Sequence, residues 1–267
     1  MDDDKRKNYW NNDYVDYWKE RVRTTNKMID AEMQISSNDP TTTDSRYIQL
    51  IDLLEVRSSD IVLDVGCGFG RSLPYLASNA LKVIGVDISS QMILESKKLT
   101  AGLKNIELMV SESESMKIDS DSISKVVCFA AFDAMYQKDA LIEFNRVCKV
   151  NGKILVTGKN NCFKNDDIRA LDAEIGAKEK NHPNFFTDVK SFLKHISLFG
   201  FKVIHQEFYL KRGDFAVDKK QNFFIDNFYE YTFVLKKINS ISINKDLIPT
   251  ISNEHSKNYI NRYNCKK

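Results

Sequence analysis

The sequence lacks the features that mark membrane-spanning and secreted proteins. No apolar run in its 267 residues approaches the roughly 18 residues that a membrane-spanning helix needs. The segment from Met1 to Lys5, MDDDK, is charged and has no apolar core of the kind found in signal peptides. We therefore expect a cytoplasmic protein with no membrane partner.

Cysteine is sparse, and neither charge sign is in excess. The 5 cysteines are odd in number and none belongs to a C-x-x-C pair, so they indicate reduced thiols rather than disulfides or a zinc site. The 39 basic and 37 acidic residues leave a net charge of +2, which provides no global field favouring nucleic acid. We expect no metal site and no nucleic-acid partner.

What the chain does contain is a strand, a glycine-rich turn and a helix start in succession. Apart from Asp64, residues 61–65 are apolar and mostly β-branched, and glycines follow at Gly66, Gly68 and Gly70. Glycines at such a turn let a ligand approach main-chain N–H groups. The dinucleotide fingerprint G-x-G-x-x-G does not fit, because the third glycine comes one residue early. Asp64, at the strand end, would repel a pyrophosphate but suits S-adenosylmethionine (SAM), which carries an ammonium group and no phosphate.

The segment IVLDVGCGFG, from Ile61 to Gly70, resembles the first motif of class I SAM-dependent methyltransferases, V-L-D-x-G-C-G-x-G. A second apolar strand, residues 81–87, ends in Asp87. An acid at that place can accept both hydroxyls of a ribose, and the alternative is a helix cap.

The resemblance also implies roles for residues outside the glycine turn. Glu112, after a third strand at residues 106–110, is placed to accept from the adenine amino group, although Glu114 competes for that role and both acids have a solvated alternative. Arg46 resembles the arginine that holds the SAM carboxylate, unless it is a solvated arginine at a helix start. Ile88 and Met92 are candidates to lie on the adenine faces, although core packing also explains Met92. The cofactor site implied by the resemblance comprises Tyr14, Arg46, Asp64, Gly66, Cys67, Gly68, Gly70, Asp87, Ile88, Met92, Glu112, Ser113 and Phe129.

The methyl acceptor is expected at the loop that follows a fourth strand, residues 124–129, because ligands of open α/β sheets bind outside the carboxyl ends of the strands. Asp133 and Tyr136 in that loop are candidate general bases. His182 is a third candidate and belongs to a polar insertion, residues 158–187, that follows strand five. The insertion is either a cap over the acceptor or a solvated connection.

The two ends of the chain are predicted to lie outside the cofactor domain, which we place at residues 46–238. In segment 1–45, the residues Tyr14, Tyr17, Trp18 and Val22 predict one apolar helical stripe. This segment is interpreted as a helical lid, or as a helix that covers an apolar surface. Residues 239–267 are left unassigned.

Together these features imply an α/β fold of the Rossmann-like type. Its seven-stranded sheet is expected to be mostly parallel, with an antiparallel last strand and helices on both faces. The expected activity is SAM-dependent methylation of a small polar acceptor by a monomer or homodimer. The finer expectation is O-methylation of a sugar, a nucleotide-activated or a phosphorylated precursor in surface-polysaccharide or natural-product biosynthesis. The alternatives are a SAM-binding partner subunit without chemistry of its own and an NAD-dependent oxidoreductase.

Overall fold

The computed structural model describes residues 3–17, 19–20, 45–241 and 248–264. Trp18 and Val22, two residues of the predicted apolar stripe, lie outside the described residues. The chain divides into two compact units, residues 1–113 and 114–267. None of the helices within the described ranges is long and apolar enough to cross a membrane.

The first unit holds three parallel strands with helices between them. The strands are β1 (Ile61–Val65), β2 (Lys82–Asp87) and β3 (Ile106–Val110), and β2 pairs with both of the others. The helices are α1 (Asp3–Asn8), a π-helical turn (Tyr9–Asp13), α2 (Ser45–Asp52), α3 (Leu73–Asn79) and α4 (Ser90–Leu99). The sequence predicts Ser89 or Ser90 as the cap of α4, and the cap is Ser89, because its side chain accepts from the Met92 N–H at 3.2 Å.

The second unit contains the remaining strands and helices. In chain order they are β4 (Ile123–Cys128), a 3₁₀ turn (Phe132–Ala134), α5 (Gln137–Val147), β5 (Cys148–Lys159), α6 (Ile168–Glu179), β6 (Phe186–Thr187), α7 (Val189–His195), a 3₁₀ turn (Ile196–Phe199), β7 (Phe201–Tyr209), β8 (Glu230–Lys237), β9 (Ser252–Asn253) and α8 (Lys257–Asn264). Strand β5 runs parallel to β4, whereas β8 runs antiparallel to both β5 and β7.

The seven long strands form one sheet in the order β3-β2-β1-β4-β5-β8-β7. The predicted fold class is confirmed, including the antiparallel last strand. Because β8 enters the sheet in the reverse direction, its first residue lies at the edge where β4 and β5 end. Aromatic side chains pack α7 against β8, where the Phe192 ring is stacked on Phe233 at a centroid distance of 5.3 Å.

A buried lysine lies at the other end of β8. Lys237 is fully buried, and its ammonium donates to Asp121 Oδ1 and to the carbonyl oxygens of Asn145 and Cys148, each at 2.7 Å. All three ammonium protons therefore have acceptors, which is what a charge at this depth requires.

One predicted helix start is wrong. Thr187, which directly precedes an amphipathic pattern in the sequence, is predicted to cap the helix before Gly200, but Thr187 belongs to β6 and pairs with Ser252 of β9. The cap is Asp188, whose side chain accepts from the Ser191 N–H at 3.0 Å. Thr187 is instead part of a two-stranded sheet whose second strand, β9, lies far downstream in the sequence.

Candidate functional site

The glycine turn after β1 has a backbone that only glycine adopts easily. Gly66, Gly68 and Gly70 have φ angles of 70°, 54° and 83°, which lie in the left-handed region. A Cβ at Gly70 would collide with the Ser96 hydroxyl, whereas a Cβ at Gly68 would meet no atom within 4 Å. Gly70 is thus required by packing as well as by φ, while Gly68 leaves its main chain accessible. Cys67, between them, is buried, and this burial raises the pKa of its thiol.

Asp87, at the end of β2, is bound to this turn through its carboxylate. Its Oδ2 accepts from the Gly68 N–H at 2.9 Å, and its Oδ1 accepts from the Ser89 N–H at 2.8 Å. Burial raises the pKa of Asp87 to about 6, against the lowering effect of these backbone donors. The carboxylate therefore connects the glycine turn to the start of α4 and retains lone pairs for a further donor.

Asp64, at the end of β1, is a second buried acid on the same turn. It is 2% exposed and accepts from the hydroxyl of Ser72. Burial raises the pKa of Asp64 to about 7, and the neighbouring Asp87 adds to the increase. Ser72, directly before α3, was not among the predicted site residues, although a serine preceding the Leu73-Pro74 helix start was a visible signal.

Glu112 is engaged by the N-terminal helix. Its Oε1 lies 2.6 Å from the Lys7 ammonium, and its Oε2 accepts from the Arg6 guanidinium at 3.4 Å. Arg6 itself is 2% exposed. Asn11 adds a further contact between this segment and the start of α4, since its Oδ1 accepts from the Ser90 N–H at 2.9 Å. Residues 3–13 therefore cover the ends of β2 and β3, where the ribose and adenine contacts were predicted.

The aromatic residues of this N-terminal segment lie against one another. The rings of Trp10 and Tyr14 have centroids 4.7 Å apart in an edge-to-face arrangement, and Tyr14 is 6.1 Å from Tyr17. Tyr9 is buried, and burial raises its pKa to about 12. Tyr14 thus belongs to an aromatic cluster, which agrees with a helix that covers apolar surface as well as with a lid.

The other predicted cofactor residues differ in how deeply they lie. Arg46 is 6% exposed and donates to Gln49 Oε1 at 3.2 Å, so it is not a solvated arginine at a helix start. Met92 and Ser113 are buried, while Ile88 is half-buried. Among the predicted cofactor residues, the Asp87 carboxylate accepts from the Gly68 N–H at 2.9 Å and the Cys67 carbonyl accepts from the Gly70 N–H at 2.9 Å. Phe129, directly after β4, belongs to the second unit and is half-buried.

In the second unit, Asp133 is fixed by the end of β5. Its Oδ1 accepts from the Lys159 N–H at 2.8 Å, its Oδ2 lies 3.4 Å from the Lys159 ammonium, and its carbonyl oxygen accepts from the Phe185 N–H. Burial raises the pKa of Asp133, and Lys159 opposes that increase. Asp133 therefore connects the loop after β4 to the end of β5 and to the predicted insertion through hydrogen bonds.

The two other predicted bases have different surroundings. Burial lowers the pKa of His182 to about 3, with Lys159 and Lys180 adding to the decrease, so its ring is neutral and a weak proton acceptor at neutral pH. Tyr136 precedes α5, its N–H donates to Glu114 Oε1 at 2.8 Å, and its ring lies 5.3 Å from Phe185. Glu114 therefore accepts within the second unit through Oε1, whereas both oxygens of Glu112 face the cations of Lys7 and Arg6.

Further charged residues surround Lys159 that the sequence did not single out. Glu230, the first residue of β8, lies opposite Lys159 in the antiparallel register. The Arg212 guanidinium donates to the Tyr229 hydroxyl at 2.8 Å, and its backbone N–H donates to Asp167 Oδ2 at 2.7 Å. We refer to Asp133, Lys159, Arg212, Tyr229 and Glu230 as the Lys159 cluster.

Residues 248–264, from the C-terminal segment that has no predicted role, are hydrogen-bonded to the insertion. Asn258 accepts from the Phe163 N–H at 2.9 Å and donates to the Phe163 carbonyl at 2.7 Å. Ser256 donates to Glu174 through its N–H at 3.0 Å and through its hydroxyl at 2.5 Å. Residues 248–264 therefore belong to the same substructure as the insertion.

Within the described ranges, no group of three or more His, Cys, Asp and Glu residues could hold a metal ion.

Comparison with known proteins finds a family model that matches part of the chain, and solved structures with a similar fold. Residues 63–156 match a family described as a methyltransferase domain. Phosphoethanolamine N-methyltransferase 3 of Arabidopsis thaliana is 26% identical over 199 residues, which are 67% of this chain and 38% of that protein. Protein MJ1252 of Methanocaldococcus jannaschii is 36% identical over 121 residues, which are 43% of this chain and 45% of that protein. The chain thus spans less than half the length of these two curated relatives.

A solved structure has the same fold. Geranyl diphosphate C-methyltransferase of Streptomyces coelicolor, in complex with Mg²⁺, geranyl diphosphate and S-adenosyl-L-homocysteine, superposes with a TM-score of 0.56 at 14% identity, covering 72% of this chain and 78% of that one.

Proposed function

We propose that this chain, whose residues 63–156 match a family described as a methyltransferase domain, is a class I methyltransferase that transfers a methyl group from SAM to a small polar acceptor. The family match and the shared fold confirm the predicted family, and SAM is the cofactor that this family uses. The assignment of individual contacts to SAM and the nature of the acceptor are our proposals.

The residues of the first unit fit SAM. The backbone at Gly68 is open enough for a ligand to lie against it, since a Cβ there would meet no atom within 4 Å. We assign the ammonium group of SAM to Asp64, the ribose hydroxyls to Asp87, the adenine amino group to Glu112 and the carboxylate to Arg46, whose guanidinium suits a carboxylate. When bound, SAM supplies a methyl group on a positively charged sulfur, which is left as a neutral thioether.

The observation that carries the cofactor assignment is the bridge made by the Asp87 carboxylate. It accepts from Gly68 and Ser89 at 2.9 and 2.8 Å, and so it connects the glycine turn with the acid expected to hold the ribose. A pyrophosphate at this turn would meet the Asp64 carboxylate, which disfavours a dinucleotide.

The Lys159 cluster supports a small polar acceptor. It combines the cations Lys159 and Arg212 with the acids Asp133 and Glu230 at the carboxyl edge of the sheet, where ligands of such sheets bind. A relative named for phosphoethanolamine, a compound with both an amine and a phosphate, agrees with an acceptor of mixed charge. O-methylation of a sugar or a phosphorylated precursor remains the finer part of the proposal.

Calorimetric titration with SAM and with NADH tests the cofactor. We expect SAM to bind and NADH not to bind, and tight NADH binding without SAM binding would reject the methyltransferase proposal in favour of an oxidoreductase. Transfer of a labelled methyl group from SAM to phosphoethanolamine, or to compounds in a metabolite extract, tests the reaction. SAM binding without any transfer would instead identify a SAM-binding partner subunit.

A further inference from the structure

Glu230 occupies a position that its strand direction determines. Because β8 runs antiparallel to β5, the first residue of β8 lies opposite Lys159, the last residue of β5. Side chains at directly opposite positions of an antiparallel pair lie on the same face of the sheet. Glu230 and Lys159 therefore project to one side at the edge where ligands of α/β sheets bind.

Charged groups from several elements surround the Glu230 carboxylate. Lys159 of β5 and Arg212 of the loop after β7 contribute positive charge, while Asp133 from the turn after β4 and Asp167 before α6 contribute negative charge. Burial raises the pKa of Glu230 to about 7, against the lowering effect of Lys159 and Arg212. An acid in such a setting changes its protonation state near neutral pH.

The two neighbouring acids are already committed to structural contacts. Asp133 accepts from the Lys159 N–H, and Asp167 accepts from Ala170 N–H at 3.1 Å and from Arg212 N–H at 2.7 Å. Among the hydrogen bonds formed by the residues that the structure describes, none ends on the Glu230 carboxylate. Glu230 is thus the acid of this group whose lone pairs are available to a ligand.

We propose that Glu230 is the general base that takes the proton from the methyl acceptor, in preference to His182, Asp133 and Tyr136. The assignment rests on the proposed methyltransferase function. It implies an acceptor that must lose a proton to be methylated, either a hydroxyl or a protonated amine.

The step balances with Glu230 as the base. The proton passes from the acceptor oxygen or nitrogen to a Glu230 carboxylate oxygen, and the electron pair left on that atom forms the new bond to the methyl carbon. The carbon–sulfur bond of SAM breaks at the same time, and its electron pair remains on the sulfur. Glu230 then releases the proton to solvent. A base with a pKa close to the working pH is the most effective for such a transfer.

The test compares wild-type protein with Glu230→Gln, which keeps the size of the side chain but cannot take up the proton. The matched control is Asp166→Asn, an exposed acid of the same unit that pairs with Lys211. Three quantities are measured for each protein: SAM affinity by calorimetry, methyl transfer from labelled SAM to a metabolite extract between about pH 5.5 and 8.5, and titration of the side-chain carboxyls by ¹³C NMR.

We expect the wild-type transfer rate to rise with pH through about 7, because Glu230 is ionised above that pH. At a SAM concentration that saturates both proteins over this pH range, Glu230→Gln should lower the rate by at least about 100-fold and abolish the pH dependence, with SAM affinity at each pH unchanged. One carboxyl resonance titrating near neutral pH should disappear in Glu230→Gln and persist in Asp166→Asn.

The outcomes separate the base from the function. If Glu230→Gln transfers methyl groups as fast as wild type, or if its spectrum has lost no resonance titrating near neutral pH, the base assignment is wrong and the methyltransferase proposal stands. If wild-type protein binds SAM but labels nothing in the extract, the proposed function fails and the base assignment fails with it.

Discussion

Replacing Asp87 with asparagine is the most direct test of the cofactor site. The carboxylate accepts from the Gly68 N–H at 2.9 Å and from the Ser89 N–H at 2.8 Å, one through each oxygen. An asparagine has a single oxygen, so its amide nitrogen must face one of these two N–H groups. Asp87→Asn therefore removes a charge and an acceptor while leaving the shape of the side chain almost unchanged.

The size of the effect follows from these contacts. An N–H group left without its acceptor costs about 1–3 kcal/mol of folding free energy. A hydrogen bond from a ribose hydroxyl to a charged acceptor contributes about 1.5–3 kcal/mol, so its loss should weaken SAM binding by at least tenfold, about 1.4 kcal/mol. Both the stability and the affinity should therefore fall.

Calorimetry with SAM and thermal unfolding without it measure the two effects separately. Asp60→Asn is the control, because the Asp60 carboxylate accepts from the exposed Arg57 N–H before β1 begins, at the opposite end of the strand from the glycine turn. This variant should bind SAM as wild type does. Unchanged SAM affinity in a folded Asp87→Asn protein would refute the ribose assignment, whatever the change in stability.

Three further substitutions, two of them with a matched control, test the site and the fold. The pKa of Asp64 is raised to about 7, and only the ionised form of this carboxyl holds an ammonium group. SAM affinity should therefore fall by up to about tenfold for each pH unit below 7. In Asp64→Asn, calorimetry should show a SAM affinity that does not change with pH. Gly68→Ala places a side chain at a φ of 54° and should lower both SAM affinity and the free energy of unfolding, the latter by about 1–2 kcal/mol. Gly176→Ala, in α6 with open space around it, should instead raise the free energy of unfolding by about 1 kcal/mol in the same denaturant titration. Lys237→Met leaves three acceptors without their donor and should cost about 3 kcal/mol, whereas its strand neighbour Lys236→Met should change the denaturation midpoint little.

The sequence predicted those parts of the fold that depend on local pattern. The apolar runs that end in Asp64 and Asp87 indicated buried parallel strands, and the structure confirms them as β1 and β2. A serine at position 89 was a sufficient signal for the start of α4. These features follow from residues close together in the sequence, so the pattern contained the information.

Features that depend on distant partners were not predictable in the same way. Thr187 looked like a helix cap, because nothing nearby reveals that Ser252 pairs with it. In the sequence, Lys7 looks like a solvent-exposed charge, because only the fold brings Glu112 close to its ammonium group. Glu230 begins a strand whose alternation predicts which residues face the core, but only the antiparallel direction of β8 places that residue at the ligand edge.

The docking of the C-terminal residues onto the insertion has a consequence for biosynthesis. Asn258 satisfies both backbone groups of Phe163, and Ser256 satisfies the buried Glu174. Because a chain emerges from the ribosome from its N-terminus, the insertion is exposed before these partners exist. Its polar backbone and its carboxylate must then remain hydrated, and their final hydrogen bonds must form after residues 252–258 have been released. The strands β1, β2 and β3 are all made before residue 114, so they can pair with one another while the second unit is still being synthesised.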